Sequence, residues 1–233
     1  MKIDYPKTVA VILAAGSGTR MNAKVPKQQM VLAGHTVLYH TAAAFQQAET
    51  VCAVIVVVRA DEVAFAEKEV SGFDKVVSVV VGGATRMESA ERGLNALPQD
   101  AAFVAFHDAA RCLVTPALID AVNVAAYENV AATAVSLVTD TVKEVSADGK
   151  IVRTVSRDAL RAAETPQVFG VPQYRLAMLY AKNAELTLTD DCQLFERMGL
   201  PVATVVSQTP NLKITTQNDL RYASFLLETR AKS

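Results

Sequence analysis

The segment Val51-Cys-Ala-Val-Ile-Val-Val-Val58 has no charged or amide side chain, and six of its eight residues are β-branched. A run without polar alternation suits a strand covered on both faces, which is the condition of a strand inside a parallel sheet flanked by helices. Similar runs occur at Val9 to Ala15, Val76 to Val81, Ala101 to Phe106 and Val130 to Val138. Between them lie helical patterns at His35 to Gln47, Asp61 to Val70, Ala84 to Leu97 and Pro116 to about Tyr127, the last with Thr115 as its N-cap and Pro116 at the first helical position. The alternation predicts an α/β fold with a Rossmann-like, doubly wound, mostly parallel sheet, whose ligands sit outside the carboxyl ends of the strands.

The rhythm breaks after residue 138. Val142 to Val145 and Ile151 to Val155 flank the turn Ala147-Asp148-Gly149-Lys150, which predicts a β-hairpin spanning, with its flanks, about residues 139–160. A two-stranded hairpin is not stable alone, so this arm either packs on its own domain or reaches a partner subunit, and the second case makes a homodimer. Ala163-Glu164-Thr165-Pro166-Gln167-Val168-Phe169 reads as a lead-in to a helix at Pro172 to Asn183. Thr189-Asp190-Asp191 opens a helix that ends at Gly199, Val202 to Val206 and Leu212 to Ile214 read as strands, and Asn218 to Arg230 as a terminal helix. With 233 residues, 51% of them hydrophobic, and no repeat or linker, one domain over residues 1–233 carrying one arm is the expected organisation.

The first apolar run leads into Ala14-Ala15-Gly16-Ser17-Gly18-Thr19-Arg20-Met21, followed by Pro26-Lys27-Gln28. Small residues and glycines at a strand end let backbone amides approach phosphates, and Arg20 and Lys27 can neutralise them. A dinucleotide fingerprint needs glycine where Met21 stands, and a Walker A loop needs Gly-Lys-Ser/Thr where Met21-Asn22-Ala23 stands, so neither motif is met. The bland reading is a plain βα turn in which glycine supplies positive φ.

Three further clusters fall at strand ends. Gly82-Gly83-Ala84-Thr85-Arg86 with Ser89 combines close backbone approach, a helix N-terminus and a hydroxyl one turn on; Arg86 could equally be a solvated helix residue. In His107-Asp108-Ala109-Ala110-Arg111, Asp108 is the candidate for magnesium or for a substrate hydroxyl, against the alternative of capping a turn, and His107 reads as a packed side chain without a catalytic part. Lys213, within Asn211-Leu212-Lys213-Ile214-Thr215, is either an edge-strand charge or a site residue. Thr189-Asp190-Asp191 is also a good helix N-cap. The histidines and cysteines build no Ser-His-Asp or Cys-His pattern, so covalent catalysis is not expected, and cations around one carboxylate suit phosphoryl or nucleotidyl transfer.

The formal charge of −1, from 23 Lys and Arg against 24 Asp and Glu, gives no global pull toward nucleic acid or membrane, so any anion site must be local. Cys52, Cys112 and Cys192 form no C-x-x-C pair; Cys52, inside an apolar run, is expected to be packed there, and all three to be reduced in a cytoplasmic protein. No run reaches the ~18 apolar residues of a membrane span, and Gly-Ser-Gly-Thr-Arg-Met reads as a functional loop rather than a signal-peptide cleavage site.

Taken together, the opening loop, Gly82-Gly83 with Arg86 and Ser89, His107-Asp108 with Arg111, Thr165-Pro166-Gln167, Thr189-Asp190-Asp191 and Asn211-Leu-Lys213-Ile-Thr resemble the 2-C-methyl-D-erythritol 4-phosphate cytidylyltransferase family over nearly the whole chain. The resemblance implies a nucleotidyltransferase that joins CTP and methylerythritol phosphate, with Mg²⁺, releasing pyrophosphate on the non-mevalonate route to isoprenoid precursors. It implies that Arg20 and Lys27 stabilise charge on the α-phosphate and that Arg157 and Lys213 hold the attacking phosphate. Ala14, Ala15, Gly16, Gly18, Gly82, Gly83 and Ser89 would bind the nucleotide. Asp108, Arg111, Thr141, Thr165 and Thr189 would line the polyol-phosphate pocket, with Asp108 nearest the metal. The family is dimeric, so the arm carrying Arg157 would help complete a neighbour's site, although Arg157 could also act in its own. Cys112, Ala90 and Pro210 stand where the family pattern leads us to expect proline, valine and an acidic residue.

The related ribitol-5-phosphate cytidylyltransferases share the chemistry and most of these motifs, and the two polyols differ only in pocket shape and a few hydroxyl contacts. A non-catalytic nucleotide-binding protein of the same fold would be expected to lose the charge at Arg20, Lys27 or Lys213, and all three are present. Met21 disfavours an NAD-dependent oxidoreductase.

Overall fold

The computed structural model describes residues 4–16, 25–186 and 188–230. Arg20 and Gly18 lie outside these described residues, so their expected roles have no structural counterpart here.

Seven strands form the main sheet: β1 (Thr8–Leu13), β4 (Val51–Val58), β5 (Val76–Val81), β6 (Phe103–Asp108), β7 (Ala131–Leu137), β10 (Arg161–Gly170) and β11 (Ala203–Val206). Their spatial order is β11-β7-β10-β6-β1-β4-β5, and every neighbouring pair is parallel except the two made by β10. Two short strands, β2 (Val31–Leu32) and β3 (His35–Thr36), pair beside the sheet, and β8 (Val142–Val145) and β9 (Ile151–Val155) form a separate antiparallel ribbon. The sheet is therefore the doubly wound, mostly parallel one that the apolar runs predict.

Alternation along the central strands sends successive side chains to opposite faces. Ala10 and Ile12 of β1 and Val54, Val56 and Val58 of β4 pack with Leu38 and Phe45 of α1 (Val37–Gln47), Val70 of α2 (Val63–Val70) and Ile119 and Val122 of α4 (Pro116–Asn129). Val9, Val11, Ile55 and Val57 face the other way. They meet Ala90 and Leu94 of α3 (Arg86–Asn95), Tyr174 and Met178 of α5 (Val171–Asn183) and Phe195 of α6 (Cys192–Arg197). Each fully buried Val or Ile contributes ~1.5–3 kcal/mol relative to exposure, and this two-sided demand is why the runs lack polar positions. A third, smaller cluster joins Leu32, Val37, Cys112, Leu113 and Ile214 to Ala223 of α7 (Gln217–Arg230). Ala90 and Cys112 are both fully packed, which accounts for these two departures as changes of core shape.

Four expectations are corrected. Residues 163–169 are not a lead-in to a helix but belong to β10, the antiparallel strand between β6 and β7. Pro166 demotes a segment as a strand, but here it falls where the pairing register with β7 shifts between Ala163 and Gln167, so its missing N–H breaks no regular ladder. Residues 212–214 are extended but unpaired, because both edges of the nearby β6 are already taken by β1 and β10; the backbone contact here is the Ile214 N–H donated to the Ala110 carbonyl, just past β6. The helix expected from His35 begins at Val37, because Thr36 caps it by accepting the Tyr39 N–H and His35–Thr36 pair with β2. Cys52 is exposed: the register slips between Thr8 and Val9, leaving Cys52 as the extra residue opposite that step. All three cysteines are free thiols, and among the described residues no helix is long and apolar enough to cross a membrane.

Candidate active site

The carboxyl ends of β1, β4, β5 and β6 point to one rim of the sheet, and a cleft of about 380 Å³ opens there. Ala14, Ala15 and Gly16 line it from the end of β1, Lys27 and Gln28 from a short 3₁₀ turn, and Gly83, Ala84, Thr85, Arg86 and Ser89 from the β5–α3 junction. Asp108, at the last residue of β6, and Lys213, from the extended segment, complete the opposite wall. Gly82 adjoins the lining.

Gly82 and Gly83 are demanded first by packing. A Cβ on Gly82 would lie 2.7 Å from Ala15 Cβ and 2.8 Å from Ser89 Oγ, and one on Gly83 would strike Glu88. The β5–α3 loop is thereby drawn against the β1 loop at the edge of the cleft. The Gly83 N–H donates to Ser89 Oγ at 3.1 Å, while Ser89 donates to the Thr85 carbonyl at 2.9 Å. Thr85 caps α3 by accepting the Glu88 N–H at 3.1 Å, and the Glu88 carboxylate accepts the Ala84 N–H at 2.8 Å, a reciprocal arrangement that fixes the helix start.

Asp108 is the electrostatic centre. Its carboxylate accepts from Lys213 Nζ at 2.7 Å, with Arg86 Nε at 3.7 Å and Arg111 Nε at 4.0 Å. Burial by itself would raise its pKa, but Lys213, Arg86 and Arg111 together bring it down to about 2. Arg86 is pulled in the same way: burial opposes its charge, and Asp191 at 2.7 Å together with Asp108 holds its pKa above the ordinary value. Arg86 is thus no solvated helix residue but an arginine wedged between two carboxylates, as its position beside Gly82-Gly83 could have signalled.

Beneath this wall, the polar groups form a defined chain. Thr165 Oγ1 accepts the Asp108 N–H at 3.1 Å and donates to His107 Nδ1 at 3.0 Å, and His107 Nε2 donates to the Arg111 carbonyl at 3.2 Å. Full burial pushes His107 down to about 3, so it is neutral and structural. Arg111 turns its guanidinium onto the Asn211 and Ala163 carbonyls at 2.9 and 3.2 Å rather than into the cleft. Asn211 in turn donates to the Thr165 carbonyl at 2.8 Å and to Glu164 at 3.0 Å. The effect is to fasten the segment bearing Lys213 to β6 and β10. Lys213 is therefore a wall residue of the cleft and not an edge-strand charge.

Of the residues expected from the sequence, the structure gathers Ala14, Ala15, Gly16, Lys27, Gly83, Ser89, Asp108 and Lys213 around the cleft. Arg111 and Thr165 stand directly behind it. Thr189 is exposed at the approach to α6, and Thr141 and Arg157 are exposed on the arm, where Arg157 donates to the Thr139 carbonyl. Arg86, singled out with Gly82-Gly83 as part of a ligand cluster, lines the cleft too, as do Gln28 and Thr215, to which no role of their own had been given. Gln28 is 2% exposed and donates to the Glu62 carboxylate at 2.6 and 2.7 Å, a long-range pairing that no local motif announces.

A mostly parallel sheet with a glycine-lined loop and two lysines at its carboxyl rim is consistent with a nucleotidyltransferase-type protein. The family model described as 2-C-methyl-D-erythritol 4-phosphate cytidylyltransferase matches residues 8–229, and the chain belongs to that family. The protein of that name from Prochlorococcus marinus (strain MIT 9313) is 40% identical over 221 residues, covering 95% of this chain and 98% of the relative. One from Alkaliphilus oremlandii is 36% identical over 230 residues, covering 97% and 98%. Among solved structures, the 4-diphosphocytidyl-2C-methyl-D-erythritol synthase of Anaerococcus prevotii superposes with a TM-score of 0.86 at 29% identity, covering 97% of this chain and all of that one.

Proposed function

We propose that the protein transfers the cytidylyl group of CTP to 2-C-methyl-D-erythritol 4-phosphate, giving 4-diphosphocytidyl-2-C-methyl-D-erythritol and pyrophosphate in isoprenoid precursor synthesis. The observation that carries this reading is the meeting of Lys27, Lys213 and the Gly82-Gly83 loop at one cleft in a chain of this family. An oxygen of the methylerythritol phosphate attacks the α-phosphorus of CTP, the bond to the β-phosphate oxygen breaks, and pyrophosphate leaves with its electrons. The nucleophile is already an anion at neutral pH, so the reaction requires no general base, in keeping with a buried, neutral His107.

The barrier is instead the approach of two anions, and cations lower it. Lys27, together with Arg20, stabilises the charge that accumulates at the α-phosphate. Lys213 and Arg157 hold the attacking phosphate. Ala14, Ala15, Gly16, Gly18, Gly82, Gly83 and Ser89 bind cytidine mainly through backbone groups, and Asp108, Arg111, Thr141, Thr165 and Thr189 form the polyol-phosphate pocket. Among the described residues that line the cleft, Asp108 is the sole carboxylate, and it is already paired with Lys213. That donor set suits Mg²⁺, which takes one or two protein carboxylates and fills its shell with water and substrate phosphates. When bound, the ion would neutralise triphosphate charge, with Asp108 as its protein contact. We infer that the working unit is a homodimer whose β8–β9 arms, carrying Thr141 and Arg157, reach between subunits, a reading supported by the exposure of both residues.

Phosphorus NMR of the protein with CTP, Mg²⁺ and methylerythritol phosphate tests this reading. Equal growth of pyrophosphate and a diphosphate diester is expected; hydrolysis of CTP to CMP without a diester would contradict it.

A further inference from the structure

One buried group behind the cleft has no part in the chemistry assigned above. Asp191, at the N-terminus of α6, is 3% exposed and does not line the cavity. Its backbone N–H donates to Gln167 Oε1 at 3.0 Å, and Tyr174, itself fully buried, donates its hydroxyl to Asp191 Oδ1 at 2.7 Å. The other oxygen, Oδ2, stands 2.7 Å from Nη1 of Arg86, which does line the cavity. A carboxylate in this position reads from sequence as a helix cap, yet the side chain that accepts the Gln193 N–H is that of Asp190. Asp191 is turned inward.

Burying an ion pair costs desolvation and is a weak device for stability. Fixing a guanidinium in one orientation is, by contrast, what a site for phosphate groups requires. Arg86 has two carboxylates within reach, Asp191 at 2.7 Å and Asp108 at 3.7 Å, while Lys213 contacts Asp108 at 2.7 Å. Without its hold on Asp191, Arg86 would close on Asp108 and compete with Lys213 for it.

We propose that Asp191, steadied by Tyr174 and Gln167, is a positioning residue that holds Arg86 apart from Asp108, keeping Arg86 oriented in the cleft and Lys213 in its place. The strut also ties the β5–α3 loop, on the nucleotide side, to the segment carrying Thr189, on the polyol side. As a statement about turnover it rests on the cytidylyl-transfer reading, and its test includes a measurement that does not.

Asp191→Asn keeps the shape and the Tyr174 hydrogen bond while removing the charge. In ¹⁵N-arginine spectra without substrate, the Arg86 Nε–H signal, assigned by its loss in Arg86→Gln, is expected to be sharp in the wild type and broadened or shifted in Asp191→Asn. An unchanged signal would overturn the proposal. In turnover, Asp191→Asn is expected to lower kcat/KM about tenfold. The double variant Arg86→Gln/Asp191→Asn should match Arg86→Gln alone within about twofold, because Asp191 acts through Arg86. Full additivity would contradict that. Tyr174→Phe, which removes one support, should show the same changes at two- to threefold and supplies the spectral comparison if Asp191→Asn does not fold. Inactivity of the wild type toward CTP and methylerythritol phosphate would overturn the functional reading, while the spectra would still decide the positioning.

Discussion

Lys213–Asp108 in the cleft and Lys150–Asp148 on the arm are ion pairs of nearly equal length, 2.7 and 2.8 Å. Their surroundings differ: the cleft pair has side chains 34% and 13% exposed, the arm pair 83% and 59%. Coulomb attraction at a fixed distance grows several-fold as water is withdrawn, and exposed pairs contribute ~0–1 kcal/mol. Against the cost of burial, Lys213 together with Arg86 and Arg111 brings Asp108 down to about 2, whereas Lys150 lowers the Asp148 pKa in open solvent, where such a pair adds little to stability. The same contrast holds for apolar surface: β1, β4 and β6 bury theirs, while Val145, Ile151 and Val152 of β8 and β9 are exposed. A ribbon with exposed apolar residues and little packing of its own is intelligible if it is completed by a second subunit.

The largest effect is expected inside the cleft. Lys27→Ala should lower kcat by ~10²–10³, about 3–4 kcal/mol, with a much smaller change in CTP affinity, as for a contact made mainly in the transition state. Steady-state rates and calorimetric CTP binding measure the two, and a near-normal kcat would remove Lys27 from the chemistry.

A sharper challenge to the comparison is Arg157, an exposed arm residue. We expect Arg157→Ala to lose ~10–100-fold in kcat/KM, or about 1.4–3 kcal/mol. Mixing Arg157→Ala chains with Lys27→Ala chains should restore activity, since the mixed dimer brings an intact arm to an intact cleft. No restoration would place Arg157 in its own subunit's site.

The third expectation concerns acid. The folded pKa of Asp108, about 2, lies below its ordinary value of 3.8, so its contribution is complete above about pH 5 and is lost as pH falls toward 2. The loss amounts to ~2 kcal/mol over that window. Urea midpoints should therefore fall less steeply between pH 5 and 2 for Asp108→Asn than for the wild type; equal slopes would mean that the cations do not depress this carboxyl. The smallest effect belongs to the arm: Arg153→Gln removes an exposed partner of Glu144, and the thermal midpoint should shift by no more than the equivalent of ~0.5 kcal/mol. A larger drop would show that the arm pair is shielded.

What was legible in the sequence followed from burial and turn chemistry. The runs around β1, β4, β5, β6 and β7 declare themselves because both faces are covered, and Asp148-Gly149 declares the hairpin. β10 escaped because its fixing contacts are pairings with β6 and β7 across long separations, and Pro166 conceals them. The cleft was readable where one motif carries several site residues, as with Gly82-Gly83 and Ser89. Gln28–Glu62 and Arg86–Asp191 were not, because each joins residues distant in sequence through side chains whose local roles, turn and helix cap, are equally ordinary. The assignments of Arg20 and Gly18 still rest on sequence and family.

The most direct measurement is the initial rate of pyrophosphate release from CTP and Mg²⁺ with methylerythritol 4-phosphate and, at matched concentration, with ribitol 5-phosphate. We predict rapid release with the first and at least ~100-fold lower kcat/KM with the second, a preference of the size that a few buried hydroxyl contacts can supply. Preference for ribitol 5-phosphate, or no release with either polyol, would contradict the account.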